Sequence, residues 1–428
     1  MLRILILSDI HMLSMAQERD PNYELRKKLL RDIKDYRDCQ GVINHILVSG
    51  DIAFKGAKEE YNLAQKFFQD VCYASGCSEE EIYVIPGNHD KDFCAPNAAF
   101  RHLVHAGLAH SNTDSDDRFN DLLAKEFIGV KLLYQPFENY HNFAVKYDSF
   151  EPIMHKCLDE NGDEEYNSES DKVFMKRKLC SLNGYDIYLY GMNTALNSDW
   201  FDITNEGKGH KLFLSNLAYN ADCEYEGRIN IAMMHHPLDH ILNGNEIQKV
   251  VDKKFQIQIF GHLHKPASDC NNSVHILSGA LQPPINGEED KKWYFSVYNI
   301  LELDIESKEQ ALDVLKVKLQ VEKYNGQDFE HNTEDSRNFE IELVKPHINR
   351  WEQPKMQKRQ VVEGQQLPEG VSVRKVRFAF LQNPNPIKYM KHFGKYAPEK
   401  TENENCIIFL KQMEADNRLN DLWTELNK

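Results

Sequence analysis

Six short apolar runs punctuate the first 260 residues, and each ends at a polar or glycine-containing turn: Arg3 to Ser8, Ile43 to Ser49, Glu81 to Ile85, Ile187 to Tyr190, Ile229 to Met234 and Phe255 to Phe260. Their length and flanking turns predict buried strands. Between the early runs, Tyr23 to Tyr36 and Glu59 to Tyr73 carry apolar residues at helical spacing, so the first 90 residues alternate strand and helix. That alternation predicts a largely parallel sheet with helices packed on it. From Gly191 to Ile305 strands dominate, most strongly over Trp293 to Ile305.

Two segments break the rhythm. Asp90 to Ile187 is long, polar and helical, and is expected to be an insertion over about residues 95–180 that ends in a loop around the acidic run Leu158 to Asp171. The spacing of that run does not make an EF-hand. Beyond Asp304 the chain is expected to leave the core. Asp313 to Lys323, Phe339 to Val344 and Val371 to Phe380 alternate like strands, and Trp351 to Gly370, rich in Gln, Pro and charge, reads as a linker. Pro384 and Pro386 mark another break, and Asn403 to Leu426 is predicted helical through Ile407, Leu410, Met413, Leu419, Leu422 and Leu426. The expected division is a domain over 1–305 and a C-terminal accessory region over 306–428.

With 428 residues the chain exceeds most single cores, which fits that division. A hydrophobic share of 41% with 28% charged residues is that of a globular protein, and no run of eighteen apolar residues spans a bilayer. The N-terminal Met-Leu-Arg-Ile-Leu-Ile-Leu meets Asp9 and His11 too soon for a signal-peptide core, so a first strand in a cytoplasmic protein is expected. Nine cysteines without a Cys-x-x-Cys pair point to reduced thiols. The net charge is −16, yet residues 345–400 hold twelve Lys and Arg against four Glu. That basic segment is either a solvated face or a docking surface for nucleic acid, a protein partner or a second copy of the chain.

The chemistry sits where the apolar runs stop. The first ends in Asp9-Ile10-His11, the second in Gly50-Asp51, the third in Gly87-Asn88-His89-Asp90, and two later ones in His235-His236-Pro237 and Gly261-His262-Leu263-His264. In an open α/β sheet the carboxyl ends of the strands border one crevice, so residues remote in sequence converge there. Alternation along extended chain points residues i and i+2 to the same side, which accounts for Asp-x-His and His-x-His. Asp9, His11, Asp51, Asn88, His235, His262 and His264 suffice for two divalent cations if one carboxylate bridges. Their mix of imidazole and carboxylate suits Mn²⁺, Fe²⁺ or Zn²⁺ better than Ca²⁺. Each motif alone is weak; all five in order, each closing an apolar run, are not.

This ordered set resembles that of the calcineurin-like metallophosphoesterases, over roughly Met1 to Ile305. The resemblance implies an α/β fold of four layers, a β-sandwich of two facing sheets flanked by helices, here carrying a C-terminal α+β appendage. It implies one metal on Asp9, His11 and His264, another on Asn88, His235 and His262, and Asp51 between them, with His236 lining the pocket. It also implies attack on phosphorus by a metal-activated hydroxide, His89 protonating or steadying the leaving oxygen, and Asp90 orienting His89 through a hydrogen bond. The protein phosphatases of the family carry Gly-Asp-x-x-Asp-Arg-Gly, whereas Gly50 to Gly56 places Phe54 and Lys55 at the last Asp and Arg. That departure argues against a protein Ser/Thr phosphatase. Lys55 is a candidate phosphate contact or a plain surface residue.

Gly50 to Tyr61 looks more like the branch similar to bacterial cyclic-nucleotide phosphodiesterases. Met192 to Ser198 resembles a loop of that branch, where Asn193 and Asn197 are expected to cap turns. The reading is a phosphodiesterase or phosphomonoesterase with a nucleotide-type substrate. The alternatives are a nuclease and a metal-binding scaffold that recruits a partner through the C-terminal region. His102, His105 and His110 are expected to be satisfied or exposed, and Trp293, Tyr294 and Phe295 to be sheet core rather than a base-stacking platform.

Overall fold

Strand β1 (Leu2–Leu7) divides its side chains between two cores. Leu2, Ile4 and Ile6 face one and Leu5 and Leu7 the other, as the two-residue period of a strand requires. A strand buried on both faces needs a layer on each side, and the rest of the chain supplies them. The computed structural model describes residues 1–15, 19–92, 94–95, 98–108, 112–125, 127–149, 157–158, 164–165, 174–199, 210–220, 227–282, 295–307, 312–344 and 367–428.

Strands follow as β2 (His45–Val48), β3 (Ile82–Val84), the short ribbon β4 (Cys157–Leu158) and β5 (Glu164–Glu165), β6 (Phe174–Leu182), β7 (Tyr185–Met192), β8 (Arg228–Met234), β9 (Ile257–Phe260), β10 (Pro266–Cys270), β11 (Val274–Ser278), β12 (Val297–Ser307), β13 (Leu312–Tyr324), β14 (Phe329–His331) and β15 (Arg337–Val344). The first sheet has the order β14-β13-β12-β1-β2-β3, with β15 also on β13; the second has the order β10-β11-β9-β8-β7-β6. β1, β2 and β3 are parallel, as are β7, β8, β9 and β11. Antiparallel strands flank both sets. Both sheets are therefore mixed rather than largely parallel.

The sheets bury Ile4, Ile6, Leu301 and Leu303 against Ile187, Ile231, Ile257 and Ile276. Helices α1 (Tyr23–Gln40) and α2 (Lys58–Ser75) cover the other face of the first sheet through Leu29, Ile33, Phe68 and Val71. The helix Gly244–Lys254 covers the second sheet through Ile247 and Val251. The result is the expected four layers. Each large aliphatic side chain buried this way stabilises the fold by roughly 1.5–3 kcal/mol. No helix of the described residues is long and apolar enough to cross a membrane.

Several expectations need correction. The chain does not leave the core at Asp304, because β13 pairs with β12 over eleven positions and sends Leu315, Val317, Leu319 and Val321 into the space between the sheets. Val371 to Phe380 is not a strand. Val373–Leu381 is a helix capped by Ser372, whose hydroxyl accepts from the Lys375 N–H, and it buries Val376, Arg377, Phe380 and Leu381. Those burials follow a helical period, and the Val-x-Val start misled. Phe295 is 43% exposed under the Lys323 ammonium, 3.6 Å from its ring centre, because it precedes the first inward position of β12. Trp293, Tyr294 and the linker up to residue 366 lie outside the described residues, as does most of the acidic run 158–171.

The C-terminal helices Val373–Leu381, Pro386–His392, Glu402–Ala415 and Leu419–Leu426 form a core of their own around Phe380, Met390, Phe409, Leu410 and Met413. Asp148 ties it to the sheets. Its carboxylate accepts from Arg377 at 2.8 and 2.7 Å and from Arg177, on β6, at 3.2 Å.

Candidate metal centre

The parallel pairing of β1 and β2 continues past their ends. The Asp9 N–H donates to the Gly50 carbonyl, and His11 and Met12 donate to Asp51 and Ile52. Side by side, these turns bring Asp9, His11 and Asp51 into one place. Backbone strain marks the same residues. Asp9, His11, Asp51, His262 and His264 all have φ between 47° and 67°, and they are five of the nine described non-glycine residues with positive φ. Each such residue costs on the order of 1–3 kcal/mol and persists only where its surroundings fix it.

The glycines of the motifs answer to the same crowding. A Cβ on Gly87 would lie 2.1 Å from Asp51 Oδ1, and one on Gly50, whose φ is 101°, would lie 2.5 Å from His235 Nδ1. No side chain fits at either position.

Seven candidate ligands converge. His11 Nε2 lies 3.2 Å and His235 Nε2 3.3 Å from the same Asp51 oxygen, Oδ2. His264 Nε2 lies 3.0 Å from Asp9 Oδ1, while Asn88 Oδ1 lies 3.1 Å from both His235 Nε2 and His262 Nδ1. Asp9, His11 and His264 form one group whose ligand atoms are within 4.8 Å of one another; His235, His236 and His262 form another, and Asp9, Asp51 and His235 lie across them.

The donor set fits divalent cations. His11 Nδ1–H donates to the Gln282 carbonyl at 3.0 Å and His235 Nδ1–H to the Ser49 carbonyl at 2.8 Å, so each ring turns Nε2 inward. Metal-ligating histidines are oriented by such backbone acceptors.

Charge is balanced within the cluster. Burial opposes ionisation of Asp9, yet the His264 hydrogen bond and nearby imidazoles hold its pKa down to about 2. Asp51 is also buried, and His235, His89 and His11 keep it well below the usual carboxylate range. Burial opposes a proton on His235, but Asp51 raises its pKa to about 9, and His11 is raised for the same reason. Burial and the His235 charge push His262 down to about 3, and burial with the neighbouring rings holds His236 far below its ordinary value. Carboxylates are thus ionised and two imidazoles neutral, the states in which they bind a cation.

His89 sits at the edge of the cluster, its ring 4.7 Å from that of His11 and stacked on Phe54 at 5.5 Å. The expected bond from Asp90 to His89 is absent. Instead His89 Nδ1–H donates to the Phe54 carbonyl at 2.8 Å, and the His89 N–H donates to Asp51 Oδ1 at 2.8 Å. Asp90 accepts from the N–H groups of Ile52, Ala53 and Gly87 and from the Tyr61 hydroxyl. Its physical reason is position: on a tight turn whose Gly87 packs on Asp51, the carboxylate points back into the Gly50–Asp51 loop and clamps the two loops together. Burial and the Asp51 charge raise Asp90 to about 6 against those three donors.

The other candidates separate. Lys55 is exposed, with its ammonium 5.9 Å from the Phe54 ring centre. His236 is buried, its Nδ1 3.0 Å from the Thr194 hydroxyl, which also accepts the His236 N–H. Asn193 caps a turn as expected, accepting from the Ala195 N–H, whereas Asn197 does not: it accepts from the Phe213 N–H sixteen residues on and ties two segments together. His105 is buried 3.8 Å from Asp199, and burial lowers it to about 4; the placements of His110 and of the His102 side chain lie outside the description.

Thr194, Gln282, Ser49 and the Phe54 carbonyl were not foreseen, and neither was His240, whose ring lies 5.2 Å from that of His262. Backbone carbonyls leave no trace in a sequence, but Thr194 sits in the loop already noted for its asparagines.

Comparison with known proteins gives a family and a distant fold likeness. None of the curated proteins compared matches the chain. Among solved structures, the purple acid phosphatase PPD1 isolated from yellow lupin (Lupinus luteus) seeds is 13% identical with a TM-score of 0.38, covering 81% of this chain and 54% of that one. A 5′-nucleotidase precursor from Thermus thermophilus is 10% identical with a TM-score of 0.30, covering 80% and 54%. The sulfate thiohydrolase SoxB of the same organism, in complex with glycerol, is 10% identical with a TM-score of 0.33, covering 80% and 56%. The chain thus spans about half the length of these proteins. The sequence pattern of the calcineurin-like phosphoesterases matches residues 2–266, which takes in every residue of the cluster, and the chain belongs to that family of divalent-metal-dependent phosphoester hydrolases.

Proposed function

We propose that the chain hydrolyses phosphodiester or phosphomonoester bonds of a nucleotide-type substrate at a dinuclear divalent-metal centre. The observation that carries this reading is the position of Asp51, whose Oδ2 lies between the imidazoles of His11 and His235. Asp9, His11 and His264 would hold one cation, Asn88, His235 and His262 the other, and Asp51 both. Cations bound there supply Lewis acidity to phosphoryl oxygens and lower the pKa of water.

The chain's own residues do the rest. Asp51 keeps Oδ2 for the centre because Oδ1 already accepts the His89 N–H. His89 Nδ1–H is committed to the Phe54 carbonyl, so Nε2 carries a proton only in the imidazolium. That proton is the one delivered to the leaving oxygen, a contribution typically of 10²–10⁴-fold. Asp90 acts through the backbone, holding the Gly50–Asp51 and Gly87–Asn88 turns in register. Phe54, half-buried beside His89, offers an apolar face to a base or other flat group.

Hydrolysis of bis-p-nitrophenyl phosphate with Mn²⁺ tests the reading in wild type, His89→Ala and Asp51→Asn. Both variants are expected to lose most turnover. Equal rates in all three would discard it, and a nucleotide panel with the active wild type then orders substrates.

A further inference from the structure

A second feature lies outside the centre. Helices α1 and α2 leave between them a groove of about 640 Å³ that begins at Met12 and Met15, immediately after His11. Its lining carries five cationic side chains, Arg26, Lys27, Arg31, Lys34 and Lys66, against two carboxylates, Asp20 and Asp70. In a chain of net charge −16 this is a reversal of sign.

Lys27, Arg31 and Lys34 follow i, i+4, i+7 along the groove, steps of about 6 and 4.5 Å at 1.5 Å per residue. Two of the five cations already have carboxylate partners, Lys27 in Glu24 at 3.1 Å and Arg26 in Asp20, while Asp32 accepts the Tyr298 hydroxyl and Asp38 pairs with Arg37. Arg31, Lys34 and Lys66 are exposed, and none is within salt-bridge distance of a carboxylate among the described residues. Packing of the helices does not call for Arg31, Lys34 and Lys66, because α1 rests on the sheet through Leu25, Leu29 and Ile33.

The groove also carries aromatic faces. Tyr73, at its far end, is 83% exposed, and Tyr23, at its near end, lies under the Lys27 ammonium at 5.3 Å. Cations in a row with an exposed ring at one end and a half-buried ring at the other are what a strand of phosphodiesters with unstacked bases recognises. A duplex, with its bases stacked inside and phosphates on a convex surface, does not enter a cleft between two packed helices. The groove connects to the centre: Arg26 donates to the Gln282 side chain at 3.5 Å, and the Gln282 carbonyl holds His11.

We propose that the α1–α2 groove binds single-stranded polynucleotide and leads it to the centre, so that the scissile bond is a phosphodiester of a nucleic-acid strand. This rests on the phosphoesterase reading above and names its substrate class.

Fluorescence anisotropy of labelled oligo-dT and oligo-U, with chelator present to stop turnover and across a NaCl titration, tests it in wild type and in Arg31→Glu/Lys34→Glu/Lys66→Glu. Wild type is expected to bind, with log K falling by about 0.7 per neutralised phosphate against log salt. The triple variant is expected to bind at least about tenfold more weakly, with that slope reduced by about 2. Tyr73→Ala is expected to weaken binding at unchanged slope, and the two oligomers show whether DNA or RNA is preferred. The triple variant should give the circular dichroism spectrum and urea midpoint of wild type, which shows it folded. Absence of binding by wild type, or equal binding by the triple variant, overturns the proposal. Strand binding by a wild type that hydrolyses nothing would instead sink the phosphoesterase reading and leave the groove standing.

Discussion

Replacing Asp148 by Asn is the most informative perturbation of the fold. Asp148 is 3% exposed and holds three guanidiniums: Arg377 by two bonds, Arg177 by one, and Arg374 at 3.7 Å. Arg374 and Arg377 belong to the C-terminal helix Val373–Leu381 and Arg177 to β6, so one carboxylate joins the helical region to the second sheet. Asn keeps the volume and removes the charge, which leaves three cations together in a buried place. Breaking a buried ion pair from one side costs about 3–5 kcal/mol. Arg377→Met should cost less, about 2–3 kcal/mol, because it deletes two charge-assisted bonds while Arg177 still faces the acid. Urea unfolding followed by circular dichroism gives both values.

Acid adds an independent check. The arginines hold Asp148 far below its ordinary range despite burial, so its folded pKa is depressed. Its contribution is therefore fully present above the unfolded value of about 3.9 and is lost as pH falls below it. Wild type should lose this stability in acid, and Asp148→Asn should not. Equal urea midpoints for wild type and Asp148→Asn, or identical acid profiles, would refute the hub.

Further outcomes follow from the centre and its surroundings. Gly87→Ala, whose Cβ would meet Asp51 Oδ1 at 2.1 Å, should abolish turnover and lower bound metal, read by elemental analysis, while the fold persists by circular dichroism. Metal uptake at pH 7 should release protons, because Asp51 raises His235 to about 9 in the metal-free protein and the cation must displace that proton; affinity should then rise with pH up to about 9, measured by calorimetry in buffers of different ionisation enthalpy. Neutral His105, lowered to about 4 by burial, gives stability that is present above the unfolded value of about 6.5 and lost as pH falls from there towards 4; His105→Gln should flatten that part of the stability curve.

Much of this was legible because the informative signals are local. Leu2 to Leu7 and Ile229 to Met234 announce themselves as strands, and Asp9, Asp51, Asn88, His235 and His262 each sit where an apolar run stops. What sequence could not supply was pairing at a distance. β12 joins β1 through Leu303 opposite Leu2, and nothing local to either strand encodes that partner. For the same reason β13 read as lying outside a core in which Leu315 and Val317 are buried. The Asp90 misassignment has another origin: adjacency in Asn88-His89-Asp90 suggested a bond, whereas a tight turn points neighbouring side chains apart. The helix Val373–Leu381 was hidden by Val371 and Val373, whose spacing fits a strand until Val376 and Phe380 are weighed with them.

The place of β1 in its sheet has a consequence for synthesis on the ribosome. One of its two neighbours, β12, begins at Val297, so this edge of the first strand stays bare until nearly 300 further residues have been made. At about 5–20 residues per second that is a wait of roughly 15–60 seconds. During it, a strand of six residues with four aliphatics in a row, Ile4 to Leu7, is exposed to whatever nascent chain or chaperone is at hand, which makes the emerging polypeptide a natural client for holding factors.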